Sequence, residues 1–433
     1  MEESPYKETL SFLFSRLPMY QRVGAKAFKK DLTNIRELLE AVGNPHRELK
    51  TIHVAGTNGK GTVSFLLAAI LQAQGYKTGL YVSPHYVDFR ERIRINGTYI
   101  TKGFVVNFVE TNRKAIEDIS PSFFEISVAM AFAYFQKQKV DIAVIETGLG
   151  GRLDSTNVLY PLLSVITNIG LDHTNFLGDT LQLIAGEKAG IIKRHIPVVI
   201  GKRQQETTPV FLKKAEELNS KITFAEEVYH VKALTTGGTS TKHEIYKNGR
   251  LLYPLISVDL SGPFQEENIQ TTLAAIDVLR DNYLEFPVSD KAILSGLEKV
   301  KSLTKYIGRW HKLGSHPTII ADSAHNPAAL KVVIAQLLSL PFNQLHIVLG
   351  MVNDKDVNNV LSLLPKDAVY YFAKADIPRG LDAELLQQQA KKYHLKGTSY
   401  SSVNDAFVAA KSAAKIDDFI FIGGSVFVVA EII

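Results

Sequence analysis

Residues 56–62 read Gly-Thr-Asn-Gly-Lys-Gly-Thr, an order of residue types suited to holding a polyphosphate. Glycines let backbone N–H groups approach an anion, Lys60 adds a point charge, and the Thr62 hydroxyl has the reach to ligate a phosphate-bound Mg²⁺. The flanks agree. Thr51 to Ala55 is a short apolar, β-branched run, and apolar residues recur at helical spacing from Thr62 to Gln74, ahead of a C-capping Gly75. A strand-to-helix turn puts the positive helix end against the anion. The spacing departs from the common phosphate-loop pattern: only two residues separate Gly56 from Gly59, and Gly61 stands between Lys60 and Thr62. Thr57, Asn58, Gly59, Lys60, Gly61 and Thr62 are therefore the candidate nucleotide contacts.

Three more groups close neighbouring strand-like runs. Run 78–82 ends at Ser83-Pro84-His85, run 140–146 at Glu146-Thr-Gly-Leu-Gly-Gly-Arg152, and run 162–168 at Asn168-Ile-Gly-Leu-Asp172-His173. Ligands of open α/β sheets gather beyond the carboxyl ends of the strands. A hydroxyl, a carboxylate and an imidazole, from Ser83, Glu146 and His173, would converge there beside the phosphate loop. Nucleotide-bound Mg²⁺ takes one or two such groups besides phosphates and water. Taken singly, Glu146 reads equally well as a capping group.

The elements that position these groups alternate. Helices are expected at 6–16 and 32–42, then strands at 51–55, 78–82, 140–146, 162–168 and 196–200 with helices at 62–74, 103–118, 123–138 and 180–193. Alternation of this kind specifies a mostly parallel sheet covered on both faces. Residues 222–260 alternate at short range around Asn248-Gly249, which predicts a small antiparallel excursion. Helices at 266–283 and 289–299 follow. From 317 onward α/β alternation restarts, with strands at 317–321, 345–349, 368–373, 396–400 and 418–422 and helices at 327–338, 355–363, 382–392 and 404–414. The fold expected is α/β: an N-terminal P-loop ATPase domain, 1–299, and a C-terminal Rossmann-like domain, 300–433, joined near 299–305.

Composition excludes several classes. Hydrophobic content of 45% and charged content of 21% are globular values. Apolar runs are too short for a membrane span, and the first residues lack a secretory pattern. With no cysteine, disulfides, thiolate catalysis and Cys-ligated zinc are ruled out, which fits a cytoplasmic protein. The net charge of +5 is spread along the chain without a basic block, so no nucleic-acid partner is expected. Gly148-Leu-Gly-Gly-Arg152 lacks the third glycine of a dinucleotide fingerprint, and no Asn-Lys-x-Asp base-reading motif of a GTPase is present. ATP chemistry remains.

These motifs resemble the folylpolyglutamate synthase/dihydrofolate synthase family of the Mur ligase superfamily. The likeness includes Gly56 to Thr62, Ser83-Pro-His85 with Glu91-Arg-Ile93 and Ile95-Asn-Gly97, Phe123-Phe-Glu125 and Glu146 to Asp154. It continues through Asn168 to His173, Glu187-Lys-Ala-Gly190, Gly308-Arg-Trp310 and Asp322-Ser-Ala-His-Asn326. Gly-Lys-Gly-Thr, where Mur ligases have Gly-Lys-Thr, favours the folate branch.

The resemblance implies an ATP-dependent ligase that joins L-glutamate to dihydropteroate or a reduced folate. It implies Ser83, Glu146 and His173 as Mg²⁺ ligands, two ions in all, and a Lys188 carbamylated by CO₂, where the residue alone reads as a solvated helix lysine. It further implies ATP contacts from Asn268, Arg309 and Asp322, and a pterin site bordered by Ser122, Phe123, Phe124 and Glu125 with Leu153, Asp154 and Ser155. His325 and Ser425 would meet the incoming glutamate. Lys60, Lys188 and His173 carry the chemistry in this reading, and the chain acts as a monomer.

Three departures stand out: Phe264-Gln265 precedes Asn268 where the family commonly has His-Gln, Ser323 replaces a frequent Gly, and the stretch from Tyr86 to Phe89, variable within the family, would tune which pterin is accepted. Arg90, Arg92 and Arg94 fall on one face of a period-two segment, either to attract substrate carboxylates or as a solvated row. The rivals are a ligase acting on a peptidoglycan precursor and a non-catalytic nucleotide switch.

Overall fold

The computed structural model describes residues 3–16, 31–234, 240–262, 264–353 and 357–433. The run Thr51–Ala55 is buried at every position, as a central parallel strand covered on both faces must be, and forms β1. Around it lie β2 (Thr78–Tyr81), β3 (Ile93–Ile95), β4 (Thr98–Tyr99), β5 (Ile142–Glu146), β6 (Leu163–Ile166), β7 (Val198–Ile200) and β8 (Ile222–Phe224). Their order is β4-β3-β2-β5-β1-β6-β7-β8, parallel apart from the β3–β4 hairpin at one edge. The crossover after β1 is the helix Lys60–Gln74, ended by left-handed Gly75 as its sequence predicts. Its residues 62–71 are all buried, between the sheet and the helices Gln265–Asn282 and Asp290–Glu298.

A three-stranded antiparallel sheet, β9 (Tyr229–Ala233), β10 (Thr241–Lys247) and β11 (Arg250–Val258), packs on Gln265–Asn282. Asn248 and Gly249 both take positive φ, 50° and 75°, in the tight turn that pairs Lys247 with Arg250. The second large sheet runs β12-β13-β17-β14-β15-β16, with β12 (His311–Ser315), β13 (Thr318–Asp322), β14 (Leu345–Leu349), β15 (Val369–Ala373), β16 (Lys396–Tyr400) and β17 (Phe419–Gly423). It is parallel except for β12. The helix Pro327–Leu338 starts where its Asn-Pro pair predicts: Asn326 caps it by accepting from the Ala329 N–H at 2.9 Å. Among the described residues no helix is long and apolar enough to cross a membrane.

Several elements depart from expectation. The edge strands β3, β4 and β12 and the helices Thr208–Glu217 and Val426–Ala430 carry too little periodic signal to announce themselves. Residues 300–304, expected as a boundary, form a short helix packed on Lys60–Gln74. The helix expected at 355–363 is observed as Val357–Leu361; 354–356 lie outside the described residues.

The arginine row is not a strand face. Phe89–Arg92 is a 3₁₀ turn begun by an Asp88 capping box, so the three guanidinia diverge. Arg90 pairs with Asp88 at 2.6 Å, and buried Arg92 donates to His85 Nδ1 at 2.7 Å. Arg94, also buried, donates to the backbone oxygens of Glu91, Thr304 and Lys305. A buried charge needs such partners, and neither a solvated row nor a substrate-facing one provides them.

The hairpin therefore clamps the segment that leads to the second sheet. Gly97, at φ +71°, would place a Cβ 2.2 Å from the Leu303 carbonyl oxygen. Gly97→Ala is expected to destabilise the protein by at least about 2 kcal/mol, from left-handed strain and displacement of that segment. The urea midpoint reads this, with the m-value unchanged.

Candidate active site

The phosphate loop is fixed from below by the strand end beside it. Thr57 N–H donates to the Asn168 carbonyl at 2.8 Å and Asn58 N–H to Asn168 Oδ1 at 3.0 Å. Thr167 Oγ1 donates to the Asn58 carbonyl at 2.6 Å, and the Gly170 N–H donates to Thr57 Oγ1 at 3.0 Å. Gly59, left-handed at φ 82°, then turns the chain into the helix, whose first-turn N–H groups have no intrahelical acceptor. A Cβ at Gly59 would stand 2.4 Å from Oδ1 of buried Asn268, so the predicted ATP contact Asn268 packs directly beneath the loop. Its Nδ2 is held by Gln265 Oε1 at 3.0 Å.

Two amines converge on one carbonyl. Lys60 Nζ donates to Gly56 O at 3.1 Å and Thr57 O at 3.2 Å; Lys188 Nζ donates to the same Gly56 O at 2.8 Å. Lys188 is buried, not the solvated lysine its helix alone suggested. Burial, reinforced by the Lys60 charge, pushes its pKa down to about 7, and burial lowers Lys60 as well. Across the loop, buried Glu146 accepts the Ser83 N–H at 3.1 Å. Burial pushes its carboxyl up to about 7, against the pull of Lys60. Gly61 explains its own place in the motif: a Cβ there would sit 3.6 Å from both Glu146 oxygens, in the space a ligand of that carboxylate needs.

A cavity of about 140 Å³ lies between the two sheets, lined by Lys60, Thr62, Ser83 and Glu146 on one side and Arg309 and His325 on the other. The structure thus brings together two of the three predicted metal ligands. His173 begins the short helix Thr174–Leu177 outside that lining, its Nε2 3.9 Å from Asp172 Oδ1. Among the described residues no cluster of three or more His, Asp or Glu could hold a metal by itself. The donors present suit a cation completed by phosphate oxygens: one buried carboxylate short of hydrogen bonds, the Ser83 side chain and the Thr62 hydroxyl.

Arg309 lies 3.6 Å from Asp322 Oδ1, while Asp322 accepts the backbone N–H groups of Trp310 (2.7 Å) and Ala324 (2.8 Å). Asp322 is fully buried and orders its own loop. Asn326 crosses between the sheets, donating to Asn58 Oδ1 at 3.0 Å and Asp172 Oδ2 at 3.2 Å, with His325 Nε2 3.4 Å from Asp172. Ser425 is buried and caps Val426–Ala430. The sequence marks Asn326 by its N-cap signal and by the Asp322-Ser-Ala-His-Asn326 motif, and Tyr86 only as part of a stretch tuning the pterin; neither signal predicts a bridge between the two sheets, and nothing marks Tyr306.

The candidate pterin residues divide. Ser122 and Glu125 are reciprocal partners in the capping box of helix Phe123–Lys137, so their polar atoms are engaged. Phe123 lies under the Arg92 guanidinium, and Phe124 faces Gly148 and Tyr81. Leu153 is half-buried in the turn after β5. Asp154 accepts four donors, the N–H groups of Gly148, Leu149 and Thr156 and the Thr156 hydroxyl, and leads into the 3₁₀ turn that begins at Ser155. Four bonds exhaust a carboxylate. Asp154 shapes this wall by holding its loop.

A phosphate loop facing a second α/β domain across a cleft is the arrangement of the Mur ligases. Residues 54–276 match the Mur ligase middle domain and residues 308–426 the Mur ligase glutamate ligase domain. The dihydrofolate synthase/folylpolyglutamate synthase of Bacillus subtilis is 32% identical over 99% of this chain and 98% of its own length. A probable bifunctional folylpolyglutamate synthase/dihydropteroate synthase of Haloferax volcanii is also 32% identical, and the chain spans about half of its length (50%). Escherichia coli FolC in complex with DHPP and ADP superimposes with a TM-score of 0.85, at 30% identity over 100% of this chain and 97% of that one. A bifunctional folylpolyglutamate synthase/dihydrofolate synthase with Mn, AMPPNP and L-glutamate bound gives 0.83 at 29% identity over 100% and 98%. The chain belongs to the Mur ligase family, as an ATP-dependent ligase of its dihydrofolate synthase/folylpolyglutamate synthase branch.

Glu146 generates a test. Its raised pKa means the folded state holds a proton that the unfolded state releases, so this group's stability contribution is present below pH 4.5 and lost as pH rises towards 7. Glu146→Gln removes that loss. Without ligand, the variant is expected to gain on the order of 3 kcal/mol over wild type above pH 7 and little below pH 4.5, while losing ADP formation. Melting curves at both pH values check the first effect.

Proposed function

We propose that this protein joins L-glutamate to dihydropteroate or to the γ-carboxylate of a reduced folate, with ATP as co-substrate. The observation carrying this reading is the pairing of half-buried Lys60 with buried Lys188 at the phosphate loop, facing Glu146, with Arg309 on the opposite wall. A carboxylate does not condense with an amine in water unaided. In the proposed route its oxygen attacks the γ-phosphorus of ATP, the bond to the β-phosphate oxygen breaks, and ADP leaves an acyl phosphate. The glutamate amine then attacks the acyl carbon, phosphate departs, and the amine's proton passes to solvent or base.

Lys60 and the helix start at 61–63 offset the charge on the transferring phosphoryl group, and Arg309 completes the offset from the other side. Asn58, Thr57 and Asn268 position the phosphates by holding the loop. A Mg²⁺ bound by Ser83, Glu146, His173 and the nucleotide would neutralise phosphate charge, with a second ion nearby. Lys188, with a pKa near 7, has a neutral amine fraction at physiological pH able to add CO₂, forming an N–C bond and releasing a proton; the carbamate would support that second ion.

The aromatic faces of Phe123 and Phe124 and the loop of Leu153, Asp154 and Ser155 would border the pterin. His325 and Ser425 would meet glutamate. We divide the chain into 1–299 and 300–433, with approach of the two parts gating the reaction. We read it as a cytoplasmic monomer without nucleic-acid or membrane partners.

Incubation with ATP, L-glutamate and either dihydropteroate or tetrahydrofolate, followed by mass spectrometry, is expected to give products heavier by one or more glutamyl units together with ADP. A UDP-linked peptide as the only productive acceptor would identify the peptidoglycan rival, and nucleotide binding without any amide product the switch. Lys60→Ala is expected to abolish ADP formation with an unchanged melting temperature; turnover at the wild-type rate would remove Lys60 from the mechanism.

A further inference from the structure

Tyr306 belongs to the segment that leads into the second sheet, yet its side chain is buried against the first. Its hydroxyl is 3.1 Å from the Thr62 hydroxyl, and its ring meets Phe65 edge-on with centroids 5.0 Å apart. The position is held from behind. Arg94 binds the carbonyls of Thr304 and Lys305, and its guanidinium lies over the rings of Phe65 and Tyr99, 4.9 and 5.0 Å from their centroids. Tyr306 also lines the cavity that holds Lys60, Ser83 and Glu146.

This arrangement has a chemical consequence. A hydroxyl that ligates a divalent cation uses an oxygen lone pair, so its own proton must point away towards an acceptor. Groups that fix a ligand in this way commonly change metal affinity by 10–100-fold. When Thr62 ligates a cation, the phenol oxygen of Tyr306, 3.1 Å away, is positioned to accept that proton.

We propose that Tyr306 is a positioning residue for the nucleotide-bound cation: it accepts the Thr62 proton, aims the Thr62 lone pair at the cation, and ties cation binding to the inter-sheet segment gripped by Arg94. The inference rests on the nucleotide reading of residues 56–62.

Calorimetric titration of the whole protein with ADP, once with Mg²⁺ and once with EDTA, tests this without turnover. Tyr306→Phe is expected to weaken binding of ADP with Mg²⁺ by about tenfold and binding in EDTA by less than twofold. Thr62→Ala is expected to reproduce that selective loss, Thr62→Ser to stay within twofold, and Tyr306→Phe added to Thr62→Ala to cost nothing more. Should Tyr306→Phe melt early, the same two titrations are run well below its melting onset, where the fold is intact and the selective loss is still expected. Equal weakening of both arms, no weakening in either, or additive losses would overturn the proposal while leaving the nucleotide reading intact. Wild type that binds ADP in neither arm would remove both.

Discussion

Lys60 and Lys188 share the carbonyl oxygen of Gly56, and the rest of the site follows from that crowding. Two ammonium groups beside each other, Lys188 buried and Lys60 half-buried, with no carboxylate among the described residues within ion-pair distance of either, carry a desolvation penalty that backbone oxygens offset only in part. Burial responds by pushing Lys188 down to about 7 and Glu146 up to about 7. A site of this kind is poised for an anion that supplies negative charge to the lysines and a cation that supplies positive charge to the carboxylate. A nucleotide with its divalent ion brings both at once. Strain of this sort is retained where function requires it.

Holding charged groups in such a state needs a rigid frame, and β1 supplies it. The loop leaves the middle of an eight-stranded sheet, its Thr57 and Asn58 bound to the residues just after β6 and its glycine turn resting on Asn268. Polar contacts join the second sheet to this frame. Asn326 bridges Asn58 and Asp172, and the Tyr86 hydroxyl meets Ser323 Oγ at 2.8 Å and the Gly308 carbonyl at 3.2 Å. Ser323, where the resemblance led to expecting Gly, finds a partner for its hydroxyl in Tyr86 across the interface. Phe264, at the position where the resemblance led to expecting a His, packs half-buried against the apolar core of the second sheet.

Much of this was legible in the chain. The phosphate loop, the parallel sheet, the Asn-Gly hairpin and nearly every strand of the second domain follow from local periodicity and turn chemistry, which act within a few residues. What was not legible depends on distant contacts. Nothing within the Arg90–Arg94 segment says that Thr304 and Lys305 will supply acceptors to Arg94. The capping role of Ser122 and Glu125 has a known spacing, Ser-x-x-Glu, and was readable; the family likeness drew attention to the pterin instead. His173 illustrates the other limit: its place at a strand end was foreseen, but side-chain direction depends on the left-handed turn at that residue, φ 51°.

The central claim is that a divalent ion joins the nucleotide to Glu146 beside Lys60 and Lys188. Anomalous diffraction from crystals grown with Mn²⁺ and AMPPNP tests it most directly. The account expects a manganese peak about 2.0–2.2 Å from a Glu146 oxygen, with Ser83 or Thr62 in the same coordination sphere and phosphates over Lys60. A peak elsewhere, or nucleotide bound with Glu146 still occupied only by the Ser83 N–H, would contradict it.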